Sequence, residues 1–254
     1  MAASHHHVIL FSCRHDPESA NIRAMDEQLL SDNIAKLLQR VRCAAEKSQY
    51  HNSDILVVAV SKTQPAQAIS AAHRCGLNNF AENYLSEALQ KISELQELDL
   101  IWHFIGPVQS NKTAQIAQHF TWVHSIDRAK IAQRLNDQRP SHLPPLQVCL
   151  QVNISGEASK SGVRLVELAE LASLVLQLPR LELRGLMAIP AANTDIETQR
   201  GAFRRMREAL AQLQTLAPGI DTLSMGMSDD MELAILEGAT LVRIGTAIFG
   251  PRNR

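Results

Sequence analysis

Residues Ile55 to Lys62 read ILVVAVSK. Ile55 to Val60 are apolar without alternation and mostly β-branched, the pattern of a parallel strand covered on both faces. Ser61, Lys62 and Thr63 end the run, and Gln64 with Pro65 opens a helical stretch. The segment therefore delivers a lysine to the carboxyl end of a buried strand. In parallel α/β folds the loops leaving that edge converge on one mouth.

Outward from this stretch the same unit recurs. Apolar strand patterns fall at 55–60, 79–81, 100–105, 121–124, 146–152, 181–189, 222–225 and 241–244. Helical periodicity fills the intervals at 65–75, 86–95, 109–119, 128–136, 163–177, 197–216 and 229–237, and Gly76 stops the first of these. Ser125 and Asp127 are candidate caps for the helix at 128–136. An amphipathic helix precedes the first strand from Asp26 to Lys47, with Leu30, Ile34, Leu37, Leu38 and Val41 on one face. The Pro-rich link 140–145 is a connection and not a domain boundary, because the strand rhythm resumes at once. Eight strands alternating with helices in 254 residues predict an α/β fold, a single (β/α)8 TIM barrel with an extra N-terminal helix. An open doubly wound sheet is the alternative, and the GxGxxG fingerprint that would support it is absent.

Residues 1–25 read as an extension outside the fold and 26–254 as the barrel, with Met25 a candidate start. His5, His6 and His7 read as tag-like, and Val8 to Phe11 is too short for a signal-peptide core. No stretch has the roughly 20 apolar residues that span a bilayer. A net charge of -1 with mixed signs excludes roles built on a basic field, so neither nucleic acid nor a membrane surface is an expected partner. Cys13, Cys43, Cys75 and Cys149 are scattered without a CxxC pair, as in a reduced cytoplasmic protein. No obvious apolar outer face is left over, which points to a monomer.

If the barrel holds, the residues at its mouth are Lys62, Asn83, His103 with Gly106, Ser125, Asn153, Met187, Ser224 with Gly226, and Arg243 with Gly245 and Thr246. They lack the paired carboxylates of a glycosidase and the ligand cluster of a metal site. Lys62 is either a solvated strand-end lysine or a Schiff-base amine, which needs a lowered pKa; burial beside a second cation, Arg243, would supply it. Gly226, Gly245 and Thr246 follow the last two strands, where barrels often bind phosphate through backbone N–H groups. Ser228 is either part of that site or the N-cap of the next helix, and Asp229 and Asp230 would keep an anion away from that helix's first turn. His103 is either a core histidine or a site residue. Asn153 and Lys160 read as loop surface or lid, and Tyr84 and Trp122 as core or rim aromatics.

VAVSKTQP at Val58 to Pro65, FAENY at Phe80 to Tyr84, WHFIGPVQSNK at Trp102 to Lys112, LSMGMSDD at Leu223 to Asp230 and VRIGTAIFG at Val242 to Gly250 resemble the pyridoxal phosphate homeostasis proteins. That family has a single barrel similar to the alanine racemase N-terminal domain. The resemblance implies that Lys62 holds pyridoxal 5′-phosphate (PLP) as an internal aldimine. It implies that Arg243 faces the pyridine nitrogen and that Ser228, Gly245 and Thr246 contact the phosphate; Asn83, His103, Ser224 and Gly226, from the strand ends, are the further expected cofactor-binding residues, and no metal is expected. Ala81 stands where the family more usually has glycine. The implied role is a non-catalytic PLP carrier in vitamin B6 homeostasis, with at most weak residual racemase activity and apo PLP-dependent enzymes as acceptors. A racemase- or transaminase-like enzyme and a class I Schiff-base aldolase are the rivals. Racemisation needs a second acid/base, which alanine racemases bring as a tyrosine from a further domain, and the tyrosines here are Tyr50 and Tyr84.

Overall fold

The computed structural model describes residues 17–50, 54–157, 160–191 and 195–251. The histidine triplet and Val8 to Phe11 lie outside the described residues. The order is α1 (Pro17–Lys47), β1 (Leu56–Val60), α2 (Ala66–Arg74), β2 (Asn79–Glu82), α3 (Leu85–Glu94), β3 (Ile101–Phe104), α4 (Thr113–His119), β4 (Trp122–Ile126), α5 (Ala129–Gln138) and β5 (Leu146–Gln151). A 3-10 turn (Leu165–Glu167) leads into α6 (Leu168–Leu176), then β6 (Leu181–Met187), α7 (Ile196–Gln214), β7 (Thr222–Ser224), α8 (Met231–Leu236), β8 (Leu241–Ile244) and α9 (Thr246–Phe249). The strands form a closed parallel barrel in chain order. β8 returns to β1 in the register Leu56↔Leu241 to Ala59↔Ile244. The expected (β/α)8 barrel is the fold.

The absence of alternation in β1 has a direct cause. Val58 packs inside the barrel with Ala81 and Leu241, while Val57 and Ala59 belong to the larger apolar layer between strands and helices. Both faces are dry, so both parities are apolar. The helices show the complementary pattern. Leu30, Ile34, Leu37, Val41 and Ala44 of α1 are buried at three- and four-residue steps, and Asn33 Nδ2 donates to the Ile248 carbonyl at 3.2 Å, tying α1 to α9.

Four local expectations change. α1 starts at Pro17 and not at Asp26, so it runs through Met25; proline is well tolerated in a first helical turn. α4 begins at Thr113 and not near residue 109, because 109–112 form a turn closed by Lys112 N–H to the Gln109 carbonyl. Ser125 and Asp127 do not cap α5, whose N-cap is Arg128 with no side-chain cap. Ser125 Oγ instead donates to the Gly106 carbonyl at 2.5 Å, and Asp127 pairs with Arg128. The sequence pattern also missed α9, a single turn directly after β8.

Candidate functional site

The β1 strand runs straight into a tight turn. Gln64 N–H donates to the Ser61 carbonyl at 3.0 Å, with Lys62 and Thr63 between them, and Thr63 takes φ 66. A left-handed third residue is the type II pattern. Side chains alternate along a strand, so the parity that turns Val58 inward carries through Val60, and Lys62 follows in the turn beyond it. Lys62 is half-buried there.

On the neighbouring strand β8, paired through Val58↔Arg243, the Arg243 guanidinium is buried. Its Nη1 donates to the Ser224 carbonyl at 2.6 Å and to Ser224 Oγ at 2.7 Å, and Nη2 donates to the Ala188 carbonyl at 3.1 Å. Burial lowers its pKa to about 10, against the pull of Asp230 and Cys149, and it stays charged at neutral pH. Because a guanidinium only donates, the Ser224 hydroxyl accepts from it, and the same oxygen lies 2.8 Å from His124 Nδ1. His124 Nε2 lies 2.9 Å from His103 Nδ1. His103 Nε2 donates to Asn79 Oδ1 at 3.0 Å. With both rings neutral, that amide oxygen makes His103 Nδ1 the acceptor from His124 Nε2 and His124 Nδ1 the acceptor from the Ser224 hydroxyl, an unbroken chain across the barrel interior. Both rings stay neutral. Burial pushes His103 down to about 3; burial, then His103 and Arg243, hold His124 well below the usual histidine range.

The rim of the mouth is built from tight backbone packing. A Cβ on Gly106 would stand 2.1 Å from the Asn83 carbonyl oxygen, so only glycine lets the β3 loop lie against the β2 loop. Asn83 Oδ1 is buried with no partner among the described residues. Gly226 has φ 95, and a Cβ there would lie 2.7 Å from the Ala234 Cβ. Its carbonyl accepts from Arg243 N–H at 3.0 Å. Ser228 does not cap α8, whose N-cap is Asp230. Ser228 Oγ accepts instead from Ala247 N–H at 3.2 Å, joining the β7 loop to the first turn of α9. Gly245 is the residue before α9 and Thr246 its exposed first residue. The Asp230 carboxyl, raised by burial and then lowered by its bond from the Met227 N–H and by Arg243, turns back into its own loop at 2.6 Å.

The structure therefore brings Lys62, Arg243, Asn83, Ser224, Gly226, Ser228, Gly245 and Thr246 to strand ends of one barrel face or the loops beyond them. His103 lies deeper, with both ring nitrogens engaged. Asn153 instead organises its own loop, donating from Nδ2 to the carbonyls of Glu157 and Lys160. Trp122 stacks on His103 at 5.5 Å, and Tyr84 is exposed. His124 and Asn79 were missed. The signal for His124 was present: two histidines in successive strands, WHF and WVHS, both at inward parity. For Asn79, first residue of a strand, there was none.

Fold and site define a (β/α)8 barrel that presents a lysine, a buried donor-only cation and a small-residue loop pair at one mouth. The family described as alanine racemase, N-terminal domain, matches residues 32–253. A pyridoxal phosphate homeostasis protein of Pseudomonas aeruginosa is 59% identical over 224 residues, spanning 88% of this chain and 96% of that protein. One from Escherichia coli is 54% identical over 227 residues, spanning 88% and 97%. The solved structure of PipY from Synechococcus elongatus with PLP bound is 34% identical with a TM-score of 0.77, covering 87% of this chain and 100% of that one. The chain belongs to the pyridoxal phosphate homeostasis protein family.

Proposed function

We propose that the protein is a cytoplasmic, monomeric carrier of PLP that holds the cofactor through Lys62 and passes it to apo-enzymes without efficient turnover of its own. The observation that carries this reading is Arg243: a buried, permanently charged donor, oriented by the Ser224–His124–His103–Asn79 chain, on the strand next to the one that delivers Lys62. No described helix is long and apolar enough to cross a membrane.

The residues present fit the cofactor. Arg243 offers donors to an unprotonated ring nitrogen, and the unpartnered Asn83 Oδ1 is an acceptor for a ligand donor. Ser228, Gly245 and Thr246, with Gly226 behind them, gather at the loops after β7 and β8, the usual phosphate site of barrels. His103 and Ser224 serve by holding Arg243. When bound, PLP supplies an electrophilic aldehyde and, if its ring nitrogen is protonated, an electron sink. Arg243 opposes that protonation. A unit positive charge at ~4 Å disfavours a second by about 4 kcal/mol at an effective dielectric of ~20, or about three pH units.

The same residues argue against a racemase. Tyr50 lies beneath the Arg207 guanidinium at 4.2 Å, and Tyr84 stands exposed at the start of α3. His103 and His124 are neutral, with both ring nitrogens engaged in the buried chain, and their lowered pKa makes them poor acid/base groups at neutral pH. Incubating cofactor-loaded protein with amino acids is expected to give little racemisation or transamination; rapid turnover would restore the enzyme reading. An aldolase would instead let borohydride fix a sugar phosphate on Lys62 in cofactor-free protein, and no such adduct is expected.

A further inference from the structure

The peptide groups on either side of Lys62 are both hydrogen-bonded from outside the barrel, and by the same ion cluster, buried at Glu82 and Lys91 and partly exposed at Glu87. Parity along β1 and β2 turns Val58 and Ala81 inward, so Ser61 and Glu82 face the helical layer. Fully buried Glu82 accepts at Oε1 from Ser61 Oγ at 2.7 Å and from Lys91 Nζ at 2.7 Å. Lys91, on α3, also donates to Glu87 Oε1 at 2.6 Å and to the Ser61 carbonyl at 2.7 Å. Glu87 Oε1 in turn accepts from Thr63 N–H at 2.6 Å. The carbonyl of the Ser61–Lys62 peptide and the N–H of the Lys62–Thr63 peptide thus end on one cluster. Two planar groups meeting at one Cα, both fixed, set φ and ψ there and hence the direction of the side chain.

The turn needs such a hold. Thr63, at φ 66, is the single non-glycine residue with positive φ among the described residues. It occupies the position that type II turns reserve for glycine. A β-branched residue is a poor occupant, and such strain persists only where the surroundings over-determine it. Stability is a weak explanation for the cluster. A buried ion pair gains little over apolar packing, Glu82 Oε2 has no partner among the described residues, and burial pushes the Glu82 carboxyl up against the bonds from Lys91 and Ser61.

We propose that Lys91, Glu87 and Glu82 are positioning residues, an external clamp that holds the Ser61–Gln64 turn with Thr63 left-handed and so aims the Lys62 amine into the mouth. This rests on the reading of Lys62 as the cofactor-holding amine, and names what keeps that amine in place. None of the three is needed to touch the cofactor.

The test uses the full chain as wild type, Glu87→Ala, Thr63→Gly and the double variant. PLP affinity is titrated by visible absorbance, and the adduct fixed on Lys62 by borohydride is counted by mass spectrometry. Losing the clamp is expected to weaken affinity roughly tenfold. Adding Thr63→Gly to Glu87→Ala should restore most of it, because glycine takes the left-handed conformation unaided. In cofactor-free protein the Gln64 amide, which closes the turn, should exchange faster with solvent in Glu87→Ala and slow again in the double variant. Lys91→Met removes the bond to the Ser61 carbonyl by a second route and should show the same loss and the same rescue. Wild-type affinity in Glu87→Ala, or a double variant no better than Glu87→Ala, overturns the clamp. If wild-type protein fixes no PLP on Lys62, the cofactor reading fails, and the Gln64 exchange rates still decide whether the cluster holds the turn.

Discussion

At Arg243, replacement by glutamine removes the charge and the two Nη groups that bond Ser224 and Ala188. The shorter neutral amide gives up the bond that Nη1 makes to Ser224 Oγ at 2.7 Å together with the charge that would face a ligand's ring nitrogen. Arg243→Gln should therefore bind PLP roughly tenfold or more weakly and shift the visible band, as read by absorbance titration. Unchanged affinity and an unchanged band would remove Arg243 from the ring-nitrogen role. The histidines behind it predict a pH dependence. His103 titrates at about 3 in the fold and near 6.5 when exposed, and His124 is lowered too. Between those values the unfolded chain binds more protons than the folded one, so stability is fully present above about pH 6.5 and declines as pH falls towards 3. Urea unfolding of cofactor-free protein at pH 7 and pH 4.5 should show the loss, and His103→Gln should flatten part of that slope. Lys62 was legible because it comes directly after a strand pattern, and Arg243 because it sits within one at inward parity. The chain linking Arg243 to His124 and Asn79 was not, since it joins β8, β7, β4, β3 and β2 and depends on barrel closure.

Among the elements, the strands of this barrel are readable because a parallel strand buried on both faces loses its alternation, as β1 and β8 do. The edges are less so. α9 is a single turn without a hydrophobic period of its own, formed where Gly245 carbonyl bonds from Ile248 and Phe249 take over from the strand. Ser228 could be read as a cap for α8, and only the folded loop shows its Oγ serving Ala247. The contact between the β2 and β3 loops makes a sharp prediction. A Cβ at Gly106 would meet a backbone oxygen at 2.1 Å, which no side-chain rotation relieves. Gly106→Ala should cost about 2–3 kcal/mol in urea unfolding and, by displacing Asn83, weaken PLP binding as well. A variant with wild-type stability and affinity would show that the rim is more yielding than its packing implies.

For the molecule as a whole, closure brings residues far apart in sequence to one barrel, with the first strand, which leads to Lys62, paired to the last, which carries Arg243. On the proposed function, the electrostatics there favour keeping a reactive aldehyde over using it, because a cation facing the ring would oppose the proton that activates it. Loaded protein should therefore give up PLP to an apo-enzyme faster than it turns over any amino acid, which stopped-flow absorbance and chiral chromatography would compare. The central claim, that Lys62 is the amine that holds PLP, is tested most directly by the visible spectrum of PLP-saturated wild type and Lys62→Ala. Each is recorded before and after borohydride, with mass spectrometry of the reduced peptides. The account predicts a band in wild type that reduction abolishes, leaving the cofactor on the Lys62 peptide, and neither band nor adduct in Lys62→Ala. A saturated wild type with no band and no adduct, or an adduct that persists on another lysine in Lys62→Ala, would contradict it.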